Sequence, residues 1–181
     1  MEKIRQMIAG LAAFSIAAGL GYMMSRRVSG GNAPVQLQAK DKKKAVPFTL
    51  PDLAGKTVGL SDFQGQVLLV DFWATWCEPC LDELPELIDL HKRYSGRGFS
   101  VIGIAVDDAG AEAVGPFARA HRIPYPILLA PGGGVEGFGV YGLPTAFLID
   151  RGGLIVKRYL GPKSVREVSS DLAPLLDSSP P

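Results

Sequence analysis

Residues 67–80 read Val-Leu-Leu-Val-Asp-Phe-Trp-Ala-Thr-Trp-Cys-Glu-Pro-Cys, and they hold both cysteines of the 181-residue chain. The first half, Val67 to Trp73, is a near-continuous apolar run broken only by Asp71. Seven residues without alternation predict a central strand buried on both faces. The pattern then changes period. Leu81, Leu84, Leu87, Ile88 and Leu90 share one face, and Asp82, Glu83, Glu86 and Asp89 share the other, which predicts a helix over 78–94. Pro85 inside it predicts a kink. The cysteines therefore stand at a strand-to-helix turn.

Placed there, the Cys77 sulfur faces unpaired backbone N–H groups and the positive end of the helix dipole, which favour thiolate over thiol. The thiolate is the attacking species in disulfide exchange. Cys80 follows by nearly one helical turn and is expected to be the more buried of the two. This supports a division of labour in which Cys77 attacks a substrate disulfide and Cys80 resolves the mixed disulfide. The rival uses of the pair are weaker. Zinc needs four ligands, and only His91 and His121 are available, at spacings that match no common finger. Haem attachment needs His after the second cysteine, where Leu81 stands. A structural disulfide over so short a loop constrains little chain. No metal and no cofactor are expected. Both histidines are read as solvated helix-end residues.

Working outward, residues 48–50 and 56–58 flank Asp52-Leu53-Ala54-Gly55 as a short hairpin. Residues 60–65 read as a capped helical turn ended by Gly65. A second apolar strand is expected over 100–106. A helix is expected over 111–121, interrupted at Gly115-Pro116, and a short strand over 126–130. The Pro131-Gly132-Gly133-Gly134 stretch reads as a flexible loop. Residues 145–149 and 154–159 flank Asp150-Arg151-Gly152-Gly153 as a β-hairpin, and residues 164–176 form a last helix with Val165, Val168, Leu172, Leu175 and Leu176 inward. Strands alternating with helices, then a hairpin and a helix, predict an α/β sandwich around a mixed sheet.

Charge divides the chain. Residues 1–46 carry eight Lys/Arg against two Asp/Glu, and the remainder carries eleven against sixteen. The mildly acidic remainder lacks the basic face that nucleic-acid binding needs. Residues 6–25 hold no ionisable side chain except the neutral Tyr22. Twenty residues at about 1.5 Å each cross a hydrocarbon core of about 30 Å. Residues 1–27 are therefore read as an uncleaved signal anchor, with a cleaved signal peptide as the alternative. Residues 28–44 read as a basic flexible linker and 45–181 as the domain. Both flanks of the apolar stretch are basic, so charge alone does not orient it. The short N-terminus and the thiol chemistry place the domain outside the cytoplasmic membrane, facing the periplasm or cell exterior.

Phe72-Trp73-Ala74-Thr75-Trp76-Cys77-Glu78-Pro79-Cys80, followed by Glu83 and Pro85, closely resembles the membrane-anchored TlpA/ResA-type branch of the thioredoxin family. The likeness covers most of residues 45–175. It implies a thioredoxin-like fold with an N-terminal β-hairpin and a mid-domain insertion near 99–130. Gly142-Leu143-Pro144-Thr145 is similar to that family's cis-proline loop, which implies that Leu143, Pro144 and Thr145 lie against the pair and meet the substrate with Trp76 and Pro79. Asp71 resembles the buried acid that helps deprotonate the resolving cysteine. Glu78 replaces the Gly of cytosolic thioredoxins; a carboxylate beside Cys77 disfavours the thiolate and makes the pair a better reductant. Its plainer role is a first-turn helix acid. The resemblance implies an extracytoplasmic thiol-disulfide oxidoreductase. Its clients would be disulfide-bearing proteins, apocytochrome c or a copper-site protein, and a membrane electron donor would recharge it. A disulfide-forming oxidase or isomerase uses the same residues at a different potential. A peroxiredoxin-like peroxidase needs a Pro-x-x-x-Thr/Ser-x-x-Cys approach that Cys77 lacks. A copper or haem chaperone would bind its cargo through the two thiols.

Overall fold

The computed structural model describes residues 43–132 and 135–177. The order of elements follows from the apolar runs. Strand β1 is Lys43–Lys44, β2 Thr49–Pro51 and β3 Thr57–Gly59, and a 3-10 turn spans Leu60–Phe63. Then come β4 Val67–Trp73, helix α1 Glu78–Tyr94, β5 Phe99–Ala105, α2 Ala111–Ala120 and β6 Ile127–Leu129. Strands β7 Thr145–Ile149 and β8 Leu154–Leu160 precede the last helix, α3 Val165–Asp177.

Among the described residues the main sheet has the order β1-β8-β7-β4-β5-β6, and β2 pairs with β3 as a separate hairpin. Strands β4, β5 and β6 run parallel, while β7 and β8 are antiparallel to their neighbours. The fold is thus the expected thioredoxin-like α/β arrangement with a mixed sheet. All seven residues of β4 are buried, as a strand between two neighbours and two covered faces requires. Leu68, Val70 and Phe72 share a core with Phe48, Phe138 and Phe147. Val67 and Leu69 share the other with Leu84, Leu87 and Leu90 of α1 and Val168 and Leu172 of α3. Strand alternation therefore puts the Asp71 side chain on the α1/α3 face.

Three features differ from the sequence reading, whereas helix α1 spans Pro85 as expected. The sheet starts at Lys43, because β1 pairs with Leu154 and Ile155 at the edge of β8. Helix α2 continues through Gly115 and Pro116, since Val114 and Ala118 on either side are both buried and packing outweighs local propensity. Glu83, assigned to the polar face of α1, is buried. The expected loop at 131–134 falls partly, and the stretch 1–42 wholly, outside the described residues.

Gly103 lies beside Asp71 in the β4–β5 register. A Cβ there would stand 2.8 Å from Trp73 Nε1 and 3.3 Å from the Tyr125 ring. No such approach is tolerated without moving the indole. Gly103→Ala is expected to cost about 1–3 kcal/mol of stability, read as a lower urea midpoint at unchanged slope.

Candidate active site

Strand β4 ends at Trp73, and the turn Ala74–Trp76 delivers Cys77 to the N-cap of α1 with extended backbone, φ −87° and ψ 96°. Its carbonyl accepts from Cys80 N at 3.0 Å and Leu81 N at 3.2 Å, so the first turn of the helix is built on the cysteine itself. Glu78 and Pro79 fill that first turn, where a carboxylate suits the dipole and a proline needs no donor. The sulfurs of Cys77 and Cys80 are joined, with Cα atoms 5.3 Å apart. Both residues are buried to nearly the same degree, so exposure does not separate their roles. What separates them is that Cys77 caps the helix, whereas Cys80 lies one turn inside it.

The Leu143–Pro144 peptide bond is cis. The loop is tied at both ends: Thr145 Oγ1 donates to Gly142 O at 2.7 Å, and Gly161 N donates to Pro144 O at 2.9 Å. Thr145 pairs with Phe72 near the end of β4, and Leu143 packs against the core cluster that contains Cys77 and Cys80. Trp76, just before Cys77, is 70% exposed, and Glu78, just after it, is exposed. The sequence-selected residues thus gather at one end of β4. A cavity of 680 Å³ between the β2–β3 hairpin and the end of α2, lined by Leu53, Val58, Phe63 and Ile123 among others, contains neither cysteine.

Asp71 is buried, and it is not alone. Lys163 Nζ lies 2.9 Å from Asp71 Oδ1, and 2.9 Å and 2.8 Å from the two oxygens of Glu83. All three side chains are almost fully buried. Lys163 N adds a further bond to Glu83 Oε2 at 3.1 Å. Burial pushes the Asp71 carboxyl up, against the pull of Lys163. Burial, then the nearby Asp71 charge, raises Glu83 to about 7. Burial draws Lys163 down, but the two carboxylates outweigh it and hold the ammonium above its ordinary value. Tyr125, in the core on the same face, is pushed well up by burial and by the same two carboxylates. One cation between two carboxylates leaves a site that takes up or gives a proton near neutrality.

Sequence reading missed Lys163 and the role of Glu83. A lysine before a helix is ordinarily solvated, and Glu83 fits the polar side of the periodicity. Only the motif after the cysteines, in which Glu83 recurs, pointed to it. His91 also departs from the solvated reading, since its ring stands 5.9 Å from Tyr125 and burial lowers its pKa. His121 is exposed and stacks on Phe117.

The raised Glu83 carries a stability signature. The unfolded glutamate releases its proton near 4.5 and the folded one near 7. Between those values the native state holds more protons, so stability falls as pH rises through the window, by up to about 1.4 kcal/mol per pH unit for one proton. Glu83→Gln is expected to flatten that slope in urea titrations from pH 4.5 to 7.5. An unchanged slope contradicts the raised pKa.

The family model described as AhpC/TSA matches residues 42–158. The chain belongs to the AhpC/TSA family. Within that family it is similar to proteins named for thiol-disulfide exchange. It is 33% identical over 131 residues to "Thiol-disulfide oxidoreductase ResA" of Bacillus thuringiensis subsp. konkukian, covering 72% of this chain and 75% of that one. It is 37% identical over 172 residues to "Thiol:disulfide interchange protein DsbE" of Vibrio cholerae, covering 92% and 91%. A thiol:disulfide interchange protein of the thioredoxin family from Chlorobium tepidum superposes with a TM-score of 0.68 at 29% identity, covering 75% of this chain and 97% of that one. A secreted thiol-disulfide isomerase from Corynebacterium glutamicum shares the fold at TM-score 0.73 and 23% identity, over 84% of this chain and 96% of that one. The AhpC/TSA chain is a ResA/DsbE-type thiol-disulfide oxidoreductase, and it carries the Cys77–Cys80 pair.

Proposed function

We propose that the chain is an extracytoplasmic reductant of client-protein disulfides, with apocytochrome c or a copper-site protein as the client. The observation that carries this reading is the placement of Cys77 at the N-cap of α1, one turn from Cys80, which is itself followed one turn later on the same helix by the buried Glu83. The Cys77 thiolate attacks one client sulfur, and the other client sulfur leaves as a thiolate. Cys80 gives up its proton and attacks Cys77, which breaks the mixed disulfide and frees the second client sulfur. Two electrons pass to the client, and the enzyme is left with the Cys77–Cys80 disulfide. A membrane thiol-disulfide donor returns it to the dithiol.

In this reading Asp71 receives the Cys80 proton, with Glu83 as its partner and Lys163 balancing their charge. Glu78 keeps the Cys77 thiolate from being overstabilised. Trp76, Pro79, Leu143, Pro144 and Thr145 form the surface that meets the client strand. Residues 1–27 anchor the chain in the cytoplasmic membrane, 28–44 tether it, and 45–181 work outside. No helix among the described residues is long and apolar enough to cross a membrane, so the anchor rests on the apolar stretch at 6–25. Resistance of the full chain to alkaline extraction from membranes tests that anchor.

The chemistry is tested by trapping. Cys80→Ser, reduced and mixed with a peptide bridged across Cys-x-x-Cys, is expected to accumulate a mixed disulfide through Cys77, one per chain. No adduct, or one formed by Cys77→Ser through Cys80 at the same rate, overturns the assignment.

A further inference from the structure

Asp107 follows β5 and is 3% exposed, yet nothing in the thiol chemistry so far uses it. Its carboxylate accepts three hydrogen bonds, all from Thr75: the backbone N–H reaches each oxygen at 3.2 Å, and Oγ1 donates to Oδ1 at 2.5 Å. The neighbouring Val106 N donates to Trp73 O at 3.0 Å. Thr75 stands two residues before Cys77, and Cys77 N closes the turn by donating to Ala74 O at 3.2 Å. The end of β5 is thus zipped to the turn that carries the N-cap sulfur.

The contrast with the neighbouring acids is informative. Asp71 and Glu83 share Lys163. Among the described residues no lysine, arginine or histidine pairs with Asp107. A buried carboxylate without a counter-ion is costly. An asparagine oxygen would accept from the same Thr75 donors with less desolvation. Anchoring alone therefore does not require the charge.

We propose that Asp107 is a positioning residue with two effects, both exerted at the Thr75 turn. It fixes the turn that sets Cys77 at the helix N-cap, and it keeps an uncompensated negative charge beside that turn. The charge opposes the helix N-terminus, which favours the Cys77 thiolate. Only the reduced form has a thiolate to destabilise, so the charge favours the disulfide and makes the dithiol the stronger reductant. Of the other charged groups, Glu78 follows Cys77 and Asp108 follows Asp107, both exposed, while Asp71, Glu83 and Lys163 pair with one another on the α1/α3 face. The proposal rests on the reading of Cys77 as the attacking sulfur.

The test follows the alkylation of the reduced full-length chain by iodoacetamide against pH, with the modified cysteine mapped by mass spectrometry. Asp107→Asn keeps an acceptor for Thr75 and removes the charge. It is expected to shift the Cys77 alkylation midpoint to lower pH and raise the thiolate fraction at pH 7 about threefold or more. Its equilibrium with glutathione is expected to move toward the reduced enzyme in the same direction. Thr75→Val keeps the charge and loses the hydroxyl bond. It is expected to leave the midpoint in place while slowing exchange. Where the Asn chain does not fold, Asp107→Ser supplies the same neutral comparison. An unmoved midpoint in Asp107→Asn, or an equal shift in Thr75→Val, reduces Asp107 to an anchor and overturns the proposal. Alkylation mapping to Cys80 in the unmodified sequence overturns the assignment beneath it, and does so before any variant is compared.

Discussion

Lys163→Met is expected to lower the unfolding free energy by about 3–5 kcal/mol near pH 8. The substitution keeps much of the apolar stem and removes the ammonium that bridges Asp71 and Glu83. Two buried carboxylates are then left facing each other, the arrangement in which removing one partner is most costly. The loss has a pH signature that a simple packing defect lacks. Acidification protonates the orphaned carboxyls, so the deficit shrinks from pH 8 to pH 5. Combining Lys163→Met with Asp71→Asn and Glu83→Gln is expected to recover a large part of it, because a fully neutral site carries no unpaired charge. Urea unfolding at the two pH values reads both outcomes. A pH-independent loss contradicts the charge-cluster account.

Cys77→Ser is expected to lower disulfide exchange by about a thousandfold or more, since Cys80, inside the helix, does not replace the N-cap sulfur as the attacking group. The fold should tolerate it, because serine is a favoured helix N-cap and preserves the start of α1. Cys80→Ser retains the attack and loses the resolution, so it reacts once and stops. The asymmetry between the two variants is the informative quantity. Burial does not distinguish the two cysteines, and position on the helix does. An equal single-turnover burst in the two variants, followed with a chromogenic disulfide, would contradict the division of labour.

Much of the fold can be read from residues 67–94. An unalternating apolar run followed by a 3.6-residue period gives β4 and α1 with their order, and α1 occupies the expected 78–94. The cysteine pair and the cis bond at Pro144 were legible because each is tied to a local motif. Glu83 was misplaced for a definite reason. Periodicity sorts residues by polarity, and an acid on the inner side is expected only if its partner is known. That partner, Lys163, is 80 residues away and becomes visible only when β4, α1 and the start of α3 meet. Asp107 was missed in the same way, as its donor lies across the β4–β5 junction. Lys43 and Lys44 read as linker because basic runs favour solvent, yet the edge of β8 pairs with their backbone whatever the side chains carry. Long-range polar partners and backbone pairing at a sheet edge leave little local trace.

The central claim is that this dithiol is a reductant, and the reduction potential of the Cys77–Cys80 pair tests it most directly. The full-length chain is equilibrated with a thiol-disulfide buffer, and the reduced fraction is read after alkylation. A value near about −270 mV, as in thioredoxin, or lower is the predicted result. A value near about −120 mV, that of a strong oxidant, would contradict it and make the chain a disulfide-forming enzyme on the same scaffold.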